Sequence, residues 1–454
     1  MRGDSLTCRE CATRFPLYQS GTLAIPWLFR HPEDALLEWR ARFNSYLHAS
    51  TSEQARLQAA LLDPHCGKAA AARIAAIGRA KEAQRRQIFE LLAPLGLDTP
   101  RSNPALDRSG LLHGTLPRQQ GLLSYYDNVF RDWAWDNGEN ERLLDCLGRV
   151  LQPVTGYSAG KVLTLGAGAG RLPYDFHRQY RPELSVTLDL NPLLVMLASR
   201  VLQGQSVPFY EFPIAPLDKA SHAVLWSCAA PEALSADELA NFSVLLADGT
   251  QPPFKQGSFD TVITPWYIDI VPQDFADGVR NVNRLLREGG VWLNTGSLAF
   301  FHRNETWCYS QEETLELLVT NGFEVLAAER AAIPYLQSPR SAHGRVERVF
   351  SFAVRKVASA GAPRPNPYLP QWVRDPHRPV PDLDEFVVAS AHHLLQAEAL
   401  AAIDGKRTID EIAVLVAKRY GLQKSEARSA VERVLLDIFE AATLGKTDSI
   451  ASLE

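Results

Sequence analysis

Apolar positions recur every three or four residues from about Asp34 to Leu97, with Leu36, Leu37, Trp39, Phe43 and Leu47 on one stripe. A second run, Ala69 to Leu92, is rich in Ala, Arg, Lys and Gln. Both patterns predict amphipathic helices. Leu97 to Gln120 carries Pro100, Pro104 and Pro117 among polar residues and reads as a connection. Tyr125 to Leu151 reads as helix again. The texture then changes to short apolar runs that predict strands at Lys161–Leu165, Leu184–Asp189, Phe259–Thr264, Gly290–Asn294 and Phe323–Leu326. Helical stretches Leu193–Leu202, Phe275–Leu286 and Gln311–Thr320 separate most of them. The last opens on a capping box, Ser310 with Glu313. Strands alternating with helices predict an α/β fold with a doubly wound, largely parallel sheet.

Seven prolines between Ala358 and Asp382 block regular structure and predict a semi-rigid linker. A helical segment follows from Leu383 to about Leu444, with a capping box at Thr408 and Glu411. The chain therefore divides into residues 1–30, a helical region 31–120, an α/β domain 121–357, the linker 358–382 and a small domain 383–446.

Composition narrows the function classes. Of 454 residues, 46% are hydrophobic and 22% charged, which is ordinary for a globular chain. A net charge of −5 does not favour a nucleic-acid surface, which usually needs a basic stripe. No apolar run is long enough to cross a membrane. Met1 to Thr7 lacks the apolar core of a signal peptide. The six cysteines are scattered apart from Cys8 and Cys11, which suggests reduced thiols and a cytoplasmic protein.

The central chemical signal is a strand, then Gly166, Gly168 and Gly170, then a helix. Glycines let the backbone turn sharply and approach a ligand closely, while the helix start offers free N–H groups to an anion. Dinucleotide sites use a similar turn. Asp189 ends the next strand, where its carboxylate can accept hydrogen bonds from both ribose hydroxyls. Asp248 precedes the strand at Phe259 and is placed to meet an adenine amino group. The three signals in this order favour S-adenosylmethionine over a nicotinamide cofactor.

From Tyr126 to Lys356 the chain resembles the carnosine N-methyltransferases and their bacterial relatives. The matching pieces are Val129-Phe-Arg-Asp-Trp133, Gly166-Ala-Gly-Ala-Gly-Arg-Leu172, Trp266-Tyr-Ile-Asp-Ile270, Leu285-Leu-Arg-Glu-Gly-Gly-Val-Trp-Leu-Asn294 and Val349-Phe-Ser-Phe-Ala-Val-Arg-Lys356. The resemblance implies a Rossmann-like methyltransferase domain that binds S-adenosylmethionine. It implies that Arg131 reaches the cofactor's methionine carboxylate, with Gly166, Gly168, Gly170 and Arg171 lining the same pocket. Asp189 would face the ribose and Asp248 the adenine. Asp269 and His302 would serve the methyl acceptor, Asp269 against an imidazole ring; Tyr267, Tyr335 and His343 are nearby polar candidates for further substrate contacts, read from this sequence and not from the resemblance. The family's tyrosine-rich segment before its last strand is replaced here by Ser341-Ala-His-Gly-Arg-Val-Glu-Arg348.

The ends resemble other modules. Leu6 to Leu28 is similar to the zinc-ribbon segment of methyltransferase activators. Cys8 and Cys11 supply only two of the four ligands a tetrahedral zinc needs, so no metal is expected. Residues 386–442 resemble the PqqD-like winged-helix fold, which implies a possible peptide partner. Three readings follow: an N-methyltransferase for a small histidine-like molecule, a peptide methyltransferase guided by the C-terminal domain, and a non-enzymatic binding or scaffold protein.

Overall fold

Runs of Val, Leu and Ile at the expected strands pair into one sheet, because branched side chains suit a pleated surface covered on both faces. The structure, a computed structural model, describes residues 5–97, 120–300, 305–361, 372, 375 and 377–444. The chain divides into two units, Met1–Pro363 and Arg364–Glu454.

The first unit begins with three antiparallel strands, β1 (Ser5–Thr7), β2 (Arg14–Ser20) and β3 (Leu23–Pro26). Two long helices follow, α1 (Pro32–Leu62) and α2 (Lys68–Leu92), then α3 (Tyr126–Trp133) and α4 (Glu139–Leu151). The single helix read over Tyr125–Leu151 is therefore two. Asp136 at φ 45° and Gly138 at φ 76° take left-handed turns that a continuous helix cannot contain.

The alternating part runs β4 (Lys161–Leu165), α5 (Arg171–Tyr180), β5 (Leu184–Asp189), α6 (Pro192–Leu202), β6 (Val207–Glu211) and β7 (Val224–Cys228). It continues through α7 (Ala236–Ala240), β8 (Phe242–Leu246), β9 (Phe259–Pro265), α8 (Phe275–Leu285), β10 (Leu286–Gly296) and α9 (Gln311–Thr320). The last two strands are β11 (Phe323–Tyr335) and β12 (Arg345–Lys356). Seven strands form one sheet in the order β11-β12-β10-β9-β4-β5-β8. β10, β9, β4, β5 and β8 run parallel, while β12 is antiparallel to both its neighbours. This is a Rossmann-like, doubly wound sheet with an antiparallel excursion at one edge.

The chain winds outward from β4 through β5 to β8, then returns to β9 on the other side of β4. That reversal opens a crevice beyond the carboxyl ends of β4 and β9, where ligands of such sheets bind. Strands β6, β7 and β8 were not among those expected from sequence; β8 proves to be the sheet edge whose end carries Asp248.

The N-terminal strands pack on that edge. The Leu28 N–H donates to the Leu246 carbonyl at 2.7 Å, and Trp27 bridges Leu246 in parallel register. Ile25 and Trp27 are fully buried, and Ser20 and Ser199 share a buried 2.6 Å hydrogen bond. An exposed edge of unpaired backbone groups is thereby covered. Cys8 and Cys11 are free thiols at the β1–β2 turn. Among the described residues no group of three or more His, Cys, Asp or Glu side chains could hold a metal.

Among its described residues the second unit contains the helices α10 (Asp384–Ala401), α11 (Ile409–Tyr420) and α12 (Lys424–Leu444). Ala399, Ile412, Ala413, Val416, Ala427 and Val431 make its core. Among its described residues there is no strand, so the wing of the expected winged-helix fold is not seen there. No helix of the described residues is long and apolar enough to cross a membrane.

Candidate functional site

Gly166, Gly168 and Gly170 all have left-handed φ, at 65°, 57° and 91°. Each does something different. A Cβ on Gly166 would lie 2.5 Å from the Tyr267 ring, and one on Gly170 would lie 3.1 Å from Ala198 on α6. A Cβ on Gly168 would meet nothing within 4 Å. The first and third glycines thus permit close packing, and the middle one faces open space.

Asp189 is wired into this turn. Its Oδ2 accepts the Gly168 N–H at 2.9 Å and its Oδ1 accepts the Asn191 N–H at 2.9 Å. Burial pushes its carboxyl up to about 6. Asp248 follows β8, and its Oδ1 accepts both the N–H and the hydroxyl of Thr250 at 2.8 Å. Burial raises this carboxyl too. Between the two acids lies Tyr267. Its ring packs on Gly166, and a Cβ on Gly249 would lie 2.7 Å from its hydroxyl oxygen. That hydroxyl is buried without a hydrogen-bond partner. Tyr267 was read as a substrate contact; its packing places it under the glycine turn, beside Asp189 and Asp248.

Arg131 is buried on α3. Asp132 Oδ1 accepts its Nε at 2.8 Å and its Nη2 at 2.7 Å. The Arg131 carbonyl accepts Asn140 Nδ2 at 2.7 Å, which locks the end of α3 to α4. The guanidinium lies 5.9 Å from the centre of the Tyr335 ring. Arg171, expected to line the same pocket, is held on three sides instead. It donates Nε to Asp175 at 2.8 Å and Nη1 to the Asp132 carbonyl at 2.9 Å, and its Nη2 is 3.5 Å from Glu141. These bonds tie α5 to α3 and so fix the segment that carries Arg131.

Across the crevice, Trp266 follows β9 with φ 48°, a strained value for a bulky residue. Its N–H donates to the Thr295 carbonyl at 2.8 Å. Gly296 allows this, since a Cβ there would come within 3.0 Å of the Trp266 backbone. The turn delivers Asp269, whose Oδ2 accepts the Ser297 hydroxyl at 2.9 Å and the Ala299 N–H at 3.1 Å. Its Oδ1 is buried and has no partner. Burial pushes the carboxyl up to about 7. Asp269 is not a helix cap; Asp274 caps α8.

Tyr335 ends β11 with its ring 4.5 Å from Trp266 and 4.4 Å from the Arg345 guanidinium. Arg345 pairs with Glu347 at 2.7 Å. His343 is exposed between β11 and β12, its N–H donating to Ser341 Oγ at 3.0 Å. His302 lies outside the described residues. Sequence reasoning assigned no role to Ser297, whose hydroxyl donates to Asp269, or to Trp266, whose left-handed turn delivers it.

The geometry brings together a glycine turn, two acids at successive strand ends, a buried arginine and an under-bonded carboxylate. Comparison with known proteins gives this set a context. A family model described as carnosine N-methyltransferase matches residues 113–357. The carnosine N-methyltransferase of Dictyostelium discoideum is 23% identical over 244 residues, which is 48% of this chain and 51% of that protein. The chain thus spans about half the length of the curated relative it matches. Among solved structures, the YcgJ protein of Bacillus subtilis is 15% identical, with 48% of this chain and 99% of that one covered and a TM-score of 0.32. Geranyl diphosphate C-methyltransferase from Streptomyces coelicolor A3(2), solved with S-adenosyl-L-homocysteine, is 14% identical, with 49% and 76% covered and a TM-score of 0.31. The family match takes in both halves of the crevice, from Arg131 to Tyr335, and on it the chain belongs to the carnosine N-methyltransferase family.

Proposed function

We propose that this chain is an S-adenosylmethionine-dependent N-methyltransferase acting on an imidazole or related amine of a small histidine-like molecule. The observation that carries the acceptor reading is Asp269: a buried carboxylate with one oxygen satisfied and the other, Oδ1, without a partner. A buried unsatisfied acceptor is costly, and a ligand N–H would relieve it.

The residues present fit the cofactor. Open space stands over Gly168, whose N–H the strand-end acid Asp189 accepts, and Asp248 and Arg131 supply a second strand-end acid and a buried guanidinium. Arg131 would hold the methionine carboxylate; Asp132 takes its Nε and Nη2, leaving Nη1 to meet the ligand. Asp189 keeps lone pairs for ribose hydroxyls beyond the two backbone bonds it accepts. Asp248 would accept from the adenine amino group. The bound cofactor supplies a methyl group on a positively charged sulfur, an already activated leaving group.

The remaining work is alignment, which by itself can supply much of the barrier reduction. Asp269 would accept the N–H of the acceptor ring, fix its tautomer and stabilise the positive charge the ring gains. Ser297 and the Ala299 N–H hold the carboxylate in place while it does so.

A peptide substrate guided by the C-terminal unit is the second reading. What favours it is the apolar surface of α10, where Phe386, Val387 and Val388 are exposed. Strand addition would need a sheet edge, and none is present among the described residues of that unit. Calorimetry with S-adenosylmethionine tests the enzyme reading: no binding by the full chain would leave a scaffold protein. Methyl transfer to histidine or a histidine dipeptide that survives removal of residues 364–454 supports the small-molecule reading. Activity on peptides alone, lost on that removal, supports the second.

A further inference from the structure

Tyr335 and Arg345 stand directly opposite each other where β11 ends and β12 begins. The Arg345 guanidinium lies 4.4 Å from the centre of the Tyr335 ring, and that ring lies 4.5 Å from the ring of Trp266. Trp266 opens the left-handed turn that delivers Asp269, three residues further on. A run of direct contacts therefore joins Arg345 to the acceptor side of the site.

The backbone around this pair is fixed. Glu139, buried at the start of α4, accepts the Leu336 N–H at 2.8 Å and the Gln337 N–H at 3.3 Å. Gln337 Nε2 in turn donates to the Arg345 carbonyl at 2.9 Å. A side chain presented from such a frame loses little freedom when it meets a ligand.

The guanidinium is not fully satisfied. Glu347, two residues along the same face of β12, lies 2.7 Å from Arg345 Nη2. The Tyr335 ring steadies the positive charge. Arg345 Nε, however, is buried and has no hydrogen-bond partner. A buried donor left unmade is costly, and an anion would relieve it. The side chain as a whole is 34% exposed, so it is open to a ligand.

Tyr335 also has the Arg131 guanidinium 5.9 Å from its centre, so two arginines flank one ring. The cofactor proposed above carries a single carboxylate, and Arg131 is assigned to it. The second arginine calls for a second anion.

We propose that Arg345 binds a carboxylate of the methyl acceptor, so that the acceptor is an imidazole-bearing acid rather than a bare imidazole or amine. This rests on the imidazole reading above. Asp269 would take the ring N–H and Arg345 the acid, and the opposite signs of the two groups would fix which end of the acceptor goes where. A planar guanidinium fork suits a carboxylate.

The test uses free histidine and a dipeptide ending in histidine, each compared with its own C-terminal amide as methyl acceptor for the full chain. Wild type should favour at least one acid over its amide by about tenfold or more in kcat/KM, chiefly through KM. Arg345→Gln should bring that ratio to within about threefold of unity, while S-adenosylhomocysteine affinity by calorimetry stays within about threefold. Arg345→Lys keeps the charge without the fork and should fall between the two. A merely structural role for Arg345 would lower acid and amide together and leave the ratio as it was. A wild-type ratio near unity overturns the proposal while the imidazole reading stands. A ratio that persists in both variants also overturns it, as does a parallel loss of S-adenosylhomocysteine affinity. A wild-type chain that binds S-adenosylhomocysteine but methylates none of these acceptors overturns the imidazole reading and this proposal with it. A wild-type chain that binds no S-adenosylhomocysteine overturns the cofactor reading as well.

Discussion

Asp189 Oδ2 accepts the N–H of Gly168 at 2.9 Å, so the acid at the end of β5 holds the shape of the glycine turn that follows β4. One side chain thus braces the open face of the turn, and on the proposed cofactor reading it would also bind the ribose. Asp189→Ala should lower S-adenosylhomocysteine affinity by about ten- to a hundredfold, from hydrogen bonds to a charged group worth about 1.5–3 kcal/mol. Asp189→Asn keeps an acceptor for Gly168 and should lose less. Calorimetry on both variants checks this, and equal losses would mean that the brace is unimportant.

Arg131 tests the carboxylate end of the same site. Arg131→Lys keeps a charge but cannot span Asp132 and a ligand carboxylate with a planar fork. Cofactor affinity should fall by about tenfold or more, by calorimetry, with the fold retained. Arg131→Ala is expected to do further harm, because it leaves Asp132 buried and unpaired, a change that typically costs about 3–5 kcal/mol. Its thermal midpoint should fall well below that of the lysine variant.

The raised carboxyl of Asp269 makes a pH prediction of definite sign. Unfolded, it titrates near about 3.9; folded, at about 7. Between these values the folded chain binds a proton that the unfolded chain does not, so its contribution to stability is present below about pH 4 and is lost as pH rises through 7. Asp269→Asn removes that slope. Denaturant unfolding at pH 5 and pH 8 should therefore favour the variant increasingly at the higher pH. Methyl transfer should run the opposite way, with wild-type kcat/KM rising between about pH 6 and 8 as the carboxylate ionises.

The N-terminal strands predict a stability effect. Trp27 is fully buried, its Nε1 donating to the Pro32 carbonyl at 3.0 Å and its ring centre 4.8 Å from that of Phe29. Trp27→Ala should cost about 3–5 kcal/mol, read from unfolding curves. Removal of residues 1–30 should uncover the edge of β8 and make the chain self-associate, measured by light scattering.

Much of this was legible in residue patterns. The alternation of apolar strands with helices gave the doubly wound sheet, and the spacing of Gly166, Gly168 and Gly170 marked the turn. Proximity along the chain could not reveal what the side chains do once folded. Arg171 sits in the turn motif but donates to Asp175 and to the Asp132 carbonyl, because helix α5 points it at α3. Tyr267 adjoins Asp269 in sequence, yet the left-handed turn at Trp266 sends its ring beneath Gly166. Strand β8 was missed because Phe242-Ser-Val-Leu-Leu246 is short and follows a single-turn helix.

The most direct measurement is transfer of labelled methyl from S-adenosylmethionine to free histidine and to histidine-containing dipeptides, with wild type and Asp269→Ala side by side. Label on an imidazole nitrogen with wild type, reduced by about a hundredfold or more in the variant, is the predicted result. Wild-type protein that binds S-adenosylmethionine yet labels a carbon or oxygen acceptor, or labels imidazole equally well without Asp269, would contradict it.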